Sequence, residues 1–211
     1  MPIYGGEAVD RVVDGFNRIY SLDEVYRTAH HGQELFPPGT FMAQGHEIMG
    51  AGEDGVVVFD QDGVTVRAYR VDHSPIEPAL GYRVEYAGRS VVVSGDTVDT
   101  AGLRNAAAGA DVLVSEVMNK SLIREAECAL GRLGDERNET LTKDIRTYHI
   151  DVAELGELAE AAGVATLVLT HQVPALDGGL AETFFRAPIE AMYGGTLVVA
   201  DDGDRITIPI E

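Results

Sequence analysis

Three apolar segments of the chain each run into a residue that can bind a metal ion. His73 follows Tyr-Arg-Val-Asp, Asp96 follows Val-Val-Val-Ser-Gly, and His171 follows Leu-Val-Leu-Thr. In α/β proteins functional groups collect at the carboxyl ends of strands, where the sheet holds their backbone in place. Two imidazoles and one carboxylate suit zinc, manganese or iron. This pattern predicts a metal site built from His73, Asp96 and His171.

Each of these residues also has an ordinary structural interpretation. A single His or Asp at the end of a strand is more often a turn residue or a hydrogen-bonded structural group. Three equivalent placements weaken that interpretation without removing it. Among the other histidines, His30, His31 and His46 have no acidic partner at ligand spacing, and we interpret them as loop residues.

Local patterns predict the elements that would position these side chains. Strands are predicted at 56–59, 64–73, 82–86, 90–93, 111–114, 166–169, 196–199 and 205–208, the last two forming a hairpin around Asp202-Gly203. Helices are predicted at 10–22, 100–108, about 125–133 and 151–162, with residues 30–55 as a loop. Asp151 and Glu154 have the spacing of a capping box at the start of the last of these helices.

The order of strands and helices predicts an α/β fold, and no linker or repeat divides the chain. We therefore expect one domain over residues 1–211. No apolar run reaches the roughly 20 residues that cross a bilayer, and the first residues lack the features of a secretory signal. The single cysteine, Cys128, excludes an internal disulfide. We expect a cytoplasmic protein that does not enter a membrane.

The charge of the chain argues against a polyanionic partner. Its 35 acidic residues outnumber 16 basic residues, which gives a net charge of −19. An excess of this size repels nucleic acid, whose binding needs Lys or Arg at the phosphates. The simplest interpretation is a solvated acidic surface that keeps the protein soluble.

Three longer segments resemble a known family. VDHSPIEPALGYRVEYAGRSVVVSGDT, ADVLVSEVM and YHIDVAELGELAEAAGVATLVLTHQVP are similar to successive parts of metallo-β-lactamase-fold hydrolases, in the branch that includes ribonuclease Z and its esterase- or sulfatase-like relatives. MPIYGGEAVDRVVDGF resembles the segment that follows the first metal loop in that branch. The resemblance implies an αββα sandwich with a metal site at its edge, here a partial sandwich.

The resemblance also implies roles for individual residues. His73 corresponds to a ligand of a first metal, Asp96 to a carboxylate that bridges two metals, and His171 to a ligand of the second. His149 corresponds to a catalytic histidine that contacts the substrate, although it could equally be an idle residue before a helix. Glu116 follows Ser115 where relatives have a His-Glu pair, so support from this pair is in doubt.

The His-x-His-x-Asp-His loop of the family is absent from these 211 residues. It supplies most of the first-metal ligands, so three ligands would hold at most about one zinc ion weakly. We expect an amino-terminally incomplete domain, which would be inactive or impaired as this chain. A non-catalytic protein that pairs with a second copy or with a partner supplying the missing half is the alternative.

In a complete relative, the resemblance implies metal-assisted hydrolysis. The long arm with which tRNA-processing members grip RNA is absent between Arg83 and Arg89. Together with the net charge, this favours a small ester, lactone or sulfate ester as the substrate. A ribonuclease Z-like phosphodiesterase is the alternative, and a nucleic-acid partner is not expected.

Overall fold

The computed structural model describes residues 1–175 and 178–210, which divide into two compact units at Gly50. The first unit contains strand β1 (Pro2–Gly5), helix α1 (Val9–His31) and strand β2 (Gln44–Glu47), with β1 and β2 paired in parallel. Helix α1 continues well past its predicted end at residue 22. His30, His31 and His46 are therefore helix and strand residues, and their assignment to a loop was wrong.

The longer α1 has a local physical cause. Asp23 and Arg27 form an ion pair one helical turn apart, at 2.6 Å, in the half of the helix that the sequence did not predict. Beyond residue 22 no Gly or Pro interrupts the chain until Gly32, which caps the helix with a φ of 83°. Only glycine adopts that backbone readily, so α1 ends there.

The second unit, from residue 51 onward, contains one mixed sheet of seven strands in chain order. The strands are β3 (Val56–Gln61), β4 (Val64–His73), β5 (Ile76–Tyr86), β6 (Arg89–Val93), β7 (Val112–Met118), β8 (Thr166–Val173) and β9 (Thr196–Val199). The helices are α2 (Ala101–Ala107), α3 (Lys120–Leu133), α4 (Glu136–Ile145), α5 (Val152–Ala162) and α6 (Gly179–Met192).

Strands β3 to β6 form an antiparallel meander, and β6 to β9 are parallel. Each parallel connection contains at least one helix, as parallel pairing requires. The predicted α/β class is thus confirmed. The predicted closing hairpin is wrong, because β9 pairs in parallel with β8 and residues 205–208 form no strand.

The main core lies between one face of this sheet and helices α2, α5 and α6. Leu103, Leu155 and Phe185 are fully buried there against strand residues such as Leu113 and Leu167. Burial of each such side chain stabilises the fold by about 1.5–3 kcal/mol. Helix α5 begins as predicted, since Asp151 and Glu154 form a reciprocal capping box.

The other face of the sheet is less covered. Val93 on this face is 41% exposed. The carboxyl-terminal segment crosses part of it, where Ile206 and Ile208 enclose a cavity of about 230 Å³ with Val84 and Val91. Among the described residues, no helix is both long and apolar enough to cross a membrane.

Candidate metal centre

His73 ends strand β4 and is held by a main-chain contact. Its Nδ1 lies 3.0 Å from the carbonyl oxygen of Tyr148, which can only accept a hydrogen bond. Nδ1 must therefore carry the proton, and Nε2 is left as the free nitrogen. That Nε2 lies 4.0 Å from Oδ2 of Asp96.

Asp96 follows β6 through a tight turn. Gly95 has a φ of 63°, and a Cβ added there would lie 2.6 Å from the carbonyl oxygen of Leu80 on β5. A larger residue would push the turn away from the neighbouring strand. The stiff Val91–Val93 segment and this glycine together fix the carboxylate at the strand end.

His171 sits in an irregularity of strand β8. Glu116 of β7 pairs with Thr170, whereas the next residue, Val117, pairs with Gln172, so His171 is the extra residue. Its φ of 44° places it in the left-handed region, which non-glycine residues rarely adopt. Such bulges commonly re-aim a side chain beside an active site.

His149 and Glu116 form a buried pair between these strand ends. They are 6% and 2% exposed, and Nδ1 of His149 lies 3.2 Å from Oε2 of Glu116. The other oxygen of Glu116 accepts hydrogen bonds from the N–H groups of Thr97 and Ile150, both at 3.1 Å. Because these bonds fix the carboxylate, it can orient the imidazole of His149.

The histidines form one continuous cluster. The ring centroids of His73 and His149 are 5.2 Å apart, and those of His149 and His171 are 5.4 Å apart. His149 belongs to two groups whose potential ligand atoms all lie within 4.8 Å of one another, one with His73 and Asp96, the other with Glu116 and His171. Asp96 and His171 belong to different groups, so the predicted ligands His73, Asp96 and His171 do not all meet in one group of the described residues.

This donor set fits a divalent cation. Zn–N and Zn–O bonds are about 2.0–2.2 Å, so ligands of one ion lie roughly 3–4 Å apart. The separation between His73 and Asp96 is at the upper end of this range. The neighbouring Asp72 belongs to neither group of possible ligands among the described residues; the hydroxyl and N–H of Ser74 donate hydrogen bonds to its Oδ1 and hold the pKa of its carboxyl below the usual value.

Sequence reasoning did not anticipate how closely Glu116 supports His149. The available signal was a carboxylate within the apolar strand Val-Leu-Val-Ser-Glu-Val-Met, since a charge in such a strand requires partners. The contact of Tyr148 with His73 could not be predicted from the sequence, because every residue type has a main-chain carbonyl. His30, His31 and His46 belong to the other unit, and none of them is in either of these groups.

Fold and cluster together define a metal-dependent hydrolase of the metallo-β-lactamase type. Residues 15–172 match the Beta-lactamase superfamily domain. The chain belongs to this superfamily, within its metallo-β-lactamase-fold hydrolases. The resemblance inferred from the sequence is thereby confirmed.

Individual relatives narrow the branch. Over 208 residues the chain is 36% identical to ribonuclease Z of Mycobacterium tuberculosis (strain ATCC 25618 / H37Rv). The aligned region covers 99% of this chain and 69% of the relative. Among solved structures it is similar to the metallo-β-lactamase fold protein YhfI from Bacillus subtilis, with a TM-score of 0.58 and 18% identity over 96% of this chain and 62% of that one. It is also similar to human tRNase Z, short form, with a TM-score of 0.53 and 19% identity over 99% of this chain and 67% of that one.

The two structures show the fold alone at these identities. The mycobacterial relative is named as a ribonuclease, and this is at odds with our expectation that nucleic acid is not a partner. The net charge of the whole chain averages over surfaces remote from the cluster, so it does not describe the charge at the cluster itself.

Proposed function

We propose that the protein is a ribonuclease Z-like hydrolase that cleaves phosphodiester bonds in RNA with a bound divalent cation, of which zinc fits the donor set best. The observation that supports this most directly is the 36% identity to ribonuclease Z across 99% of the chain. It outweighs the preference for a small ester, which depended on the net charge and on the absence of an arm.

Five residues would take part in the reaction. His73 and Asp96 would hold a cation in the first group of possible ligands, and His171 would offer a ligand in the second. A bound cation supplies Lewis-acid activation of water and of a phosphoryl oxygen. His149 would hold a proton at Nε2 for the leaving oxygen, since its Nδ1 faces Glu116 at 3.2 Å. Glu116 would fix the orientation of the ring.

A small ester, lactone or sulfate ester is the second candidate substrate. The hairpin between β5 and β6 turns through Ala87 and Gly88 alone, with φ values of 49° and 74°, as in a tight two-residue turn. No arm that could grip RNA extends from this hairpin. A site without such an arm favours small substrates.

Hydrolysis of matched substrates distinguishes the two candidates. The assay contains excess zinc, because a site with so few ligands binds the ion weakly. The chain is tested on three substrates: an RNA carrying a 3′ extension, a p-nitrophenyl ester and a p-nitrophenyl sulfate. The control is His171→Gly, which removes the imidazole and tolerates the left-handed backbone. We expect RNA cleavage that the control lacks.

Ester or sulfate hydrolysis that exceeds RNA cleavage and disappears in His171→Gly would support the second candidate. Equal rates for both proteins on every substrate, without RNA binding, would contradict both candidates. That outcome would favour the non-catalytic pairing protein considered from the sequence.

A further inference from the structure

The aromatic ring of Tyr148 lies against the metal cluster and has no part in the proposed hydrolysis. Its centroid is 4.9 Å from that of His73, with the rings nearly perpendicular at 80°. It is 5.0 Å from the ring of His149. The side chain is only partly buried, and within the described part of the chain its hydroxyl forms no hydrogen bond. Part of the ring is therefore open to a ligand.

The backbone at Tyr148 is fixed on both sides. Its carbonyl oxygen accepts from Nδ1 of His73. Two residues earlier, Arg146 forms an ion pair with Glu127 of helix α3. Thr147 closes the end of α4 through its N–H, which donates to Asp144 at 2.9 Å. The backbone that carries the ring is therefore already ordered, which reduces the conformational freedom lost when the ring binds a ligand.

Contacts other than phosphate pairing can add to RNA binding by this protein. Phosphate pairing draws only on the 16 basic residues of the chain, which also carries 35 acidic ones. Stacking of a base on an aromatic side chain needs no cation and accepts any base. It strengthens binding by roughly 5- to 150-fold per base.

We propose that Tyr148 is the stacking platform for the nucleobase next to the scissile phosphate. This rests on the proposed function, because it assumes that RNA enters the cluster. Because the ring of Tyr148 lies within about 5 Å of the rings of His73 and His149, a base stacked on it would set which phosphate reaches the cluster. Tyr148 would thus select the cleavage position without reading base identity.

A double-mutant cycle tests this contact. Binding of the zinc-loaded chain to a short RNA is measured by fluorescence anisotropy, with the intact RNA and with RNAs that lack one base beside the cleavage position. Tyr148→Ala should weaken binding of the intact RNA by roughly 5- to 150-fold. On the RNA without the stacked base, the same substitution should have almost no effect.

Two further variants separate stacking from structural damage. Tyr148→Phe keeps the ring and should bind like the wild type, which would also show that the position tolerates substitution. Tyr86→Ala removes a half-exposed tyrosine of strand β5 and should leave binding unchanged. A loss in Tyr148→Ala that is equal for intact and base-lacking RNA would overturn the stacking role.

The outcomes also separate this inference from the proposed function. Suppose that the wild-type chain binds and cleaves RNA, but the affinity losses from Tyr148→Ala and from removal of the base are additive. That result would overturn the stacking role alone. A wild-type chain that binds no RNA would overturn the proposed function and the stacking role together.

Discussion

Two carboxylates near the histidine cluster have different surroundings. Glu116 is buried, one of its oxygens accepts two main-chain N–H groups, and the other faces Nδ1 of His149 at 3.2 Å without meeting hydrogen-bond geometry. Asp96 has His73 as its neighbour at 4.0 Å and retains accessible oxygens. The first can position a proton-carrying imidazole, and the second can bind a cation.

The role of Asp96 is testable through metal content. We expect the purified chain to bind at most about one zinc ion, because its ligands are few. Asp96→Ala should abolish this binding, measured by calorimetric titration and elemental analysis. Asp54→Ala, at an exposed position, is the matched control. Undiminished zinc in Asp96→Ala would remove Asp96 from the site.

The role of Glu116 is testable through activity. Glu116→Gln keeps the shape of the side chain but removes the charge that faces His149, so RNA cleavage should fall by about 10- to 100-fold. Glu125→Gln, on the exposed surface of α3, should cleave at the wild-type rate. If both variants cleave equally and both remain folded by circular dichroism, Glu116 does not orient the imidazole.

Helix α2 packs unusually close to the sheet. A Cβ added to Gly102 would lie 1.9 Å from the carbonyl oxygen of Arg70 on β4. The backbone of one element would have to move, at a cost of about 1–3 kcal/mol or more. Gly102→Ala should therefore lower the free energy of unfolding by that amount in urea titrations.

Gly15→Ala is the matched control for this prediction. Gly15 lies in α1 with nothing near an added Cβ. There alanine should stabilise the helix by up to about 1 kcal/mol. Equal effects of the two substitutions would mean that α2 does not need the close approach.

Asp111 connects the first residues of strands β6 and β7. The N–H of Ser90 donates to it at 2.7 Å and Arg89 lies 3.1 Å away, so the pKa of its carboxyl is below the usual value. Because an unfolded aspartate titrates near about 3.9, the ionised group stabilises the fold above roughly pH 4–5. This contribution is lost as the pH falls through the folded pKa.

Asp111→Asn should accordingly unfold more easily at pH 7, by about 1 kcal/mol. The difference from the wild type should narrow as the pH falls below about 4 and on through the lower folded pKa, where Asp111 becomes as neutral as asparagine. Urea titrations at several pH values measure this difference in the free energy of unfolding. A difference that is constant with pH would show that charge is not the cause.

Elements with a clear local signal were predictable, and those fixed by distant contacts were not. A part of each sheet strand from β3 to β9 was predicted, although β5, β7 and β8 extend beyond their predicted bounds, and the start of α5 followed from its capping box. Polar and apolar residues alternate over 205–208 as in a strand, but this segment pairs with no strand in the folded protein. Helix α6, with Pro188 inside it, also lacked a clean pattern.

The same division applies to the candidate site. Strand ends indicated His73, Asp96 and His171, because strand periodicity fixes where such residues emerge. The central position of His149 depends on Glu116, which lies 33 positions earlier (149 − 116) in the sequence. Pairing over that separation is set by the packing of α5 against β7, which no local pattern encodes.

At the scale of the whole molecule, the net charge of −19 imposes a general cost on the folded state. Like charges are closer in the folded chain than in the unfolded one, and salt reduces their repulsion. The thermal midpoint of unfolding should therefore rise by a few degrees between 20 mM and 500 mM sodium chloride as a rough expectation. Sorbitol at equal osmolality controls for solvent effects, and an unchanged midpoint in salt would contradict the prediction.

The backbone of His171 has a consequence for how this protein can evolve. A non-glycine residue in the left-handed region costs on the order of 1–3 kcal/mol, and His171 adopts it at a φ of 44°. Glycine would relieve that strain, so a population selected only for heat tolerance would drift towards losing the imidazole. Retention of histidine at position 171 under thermal selection would indicate that the cell still uses the histidine cluster.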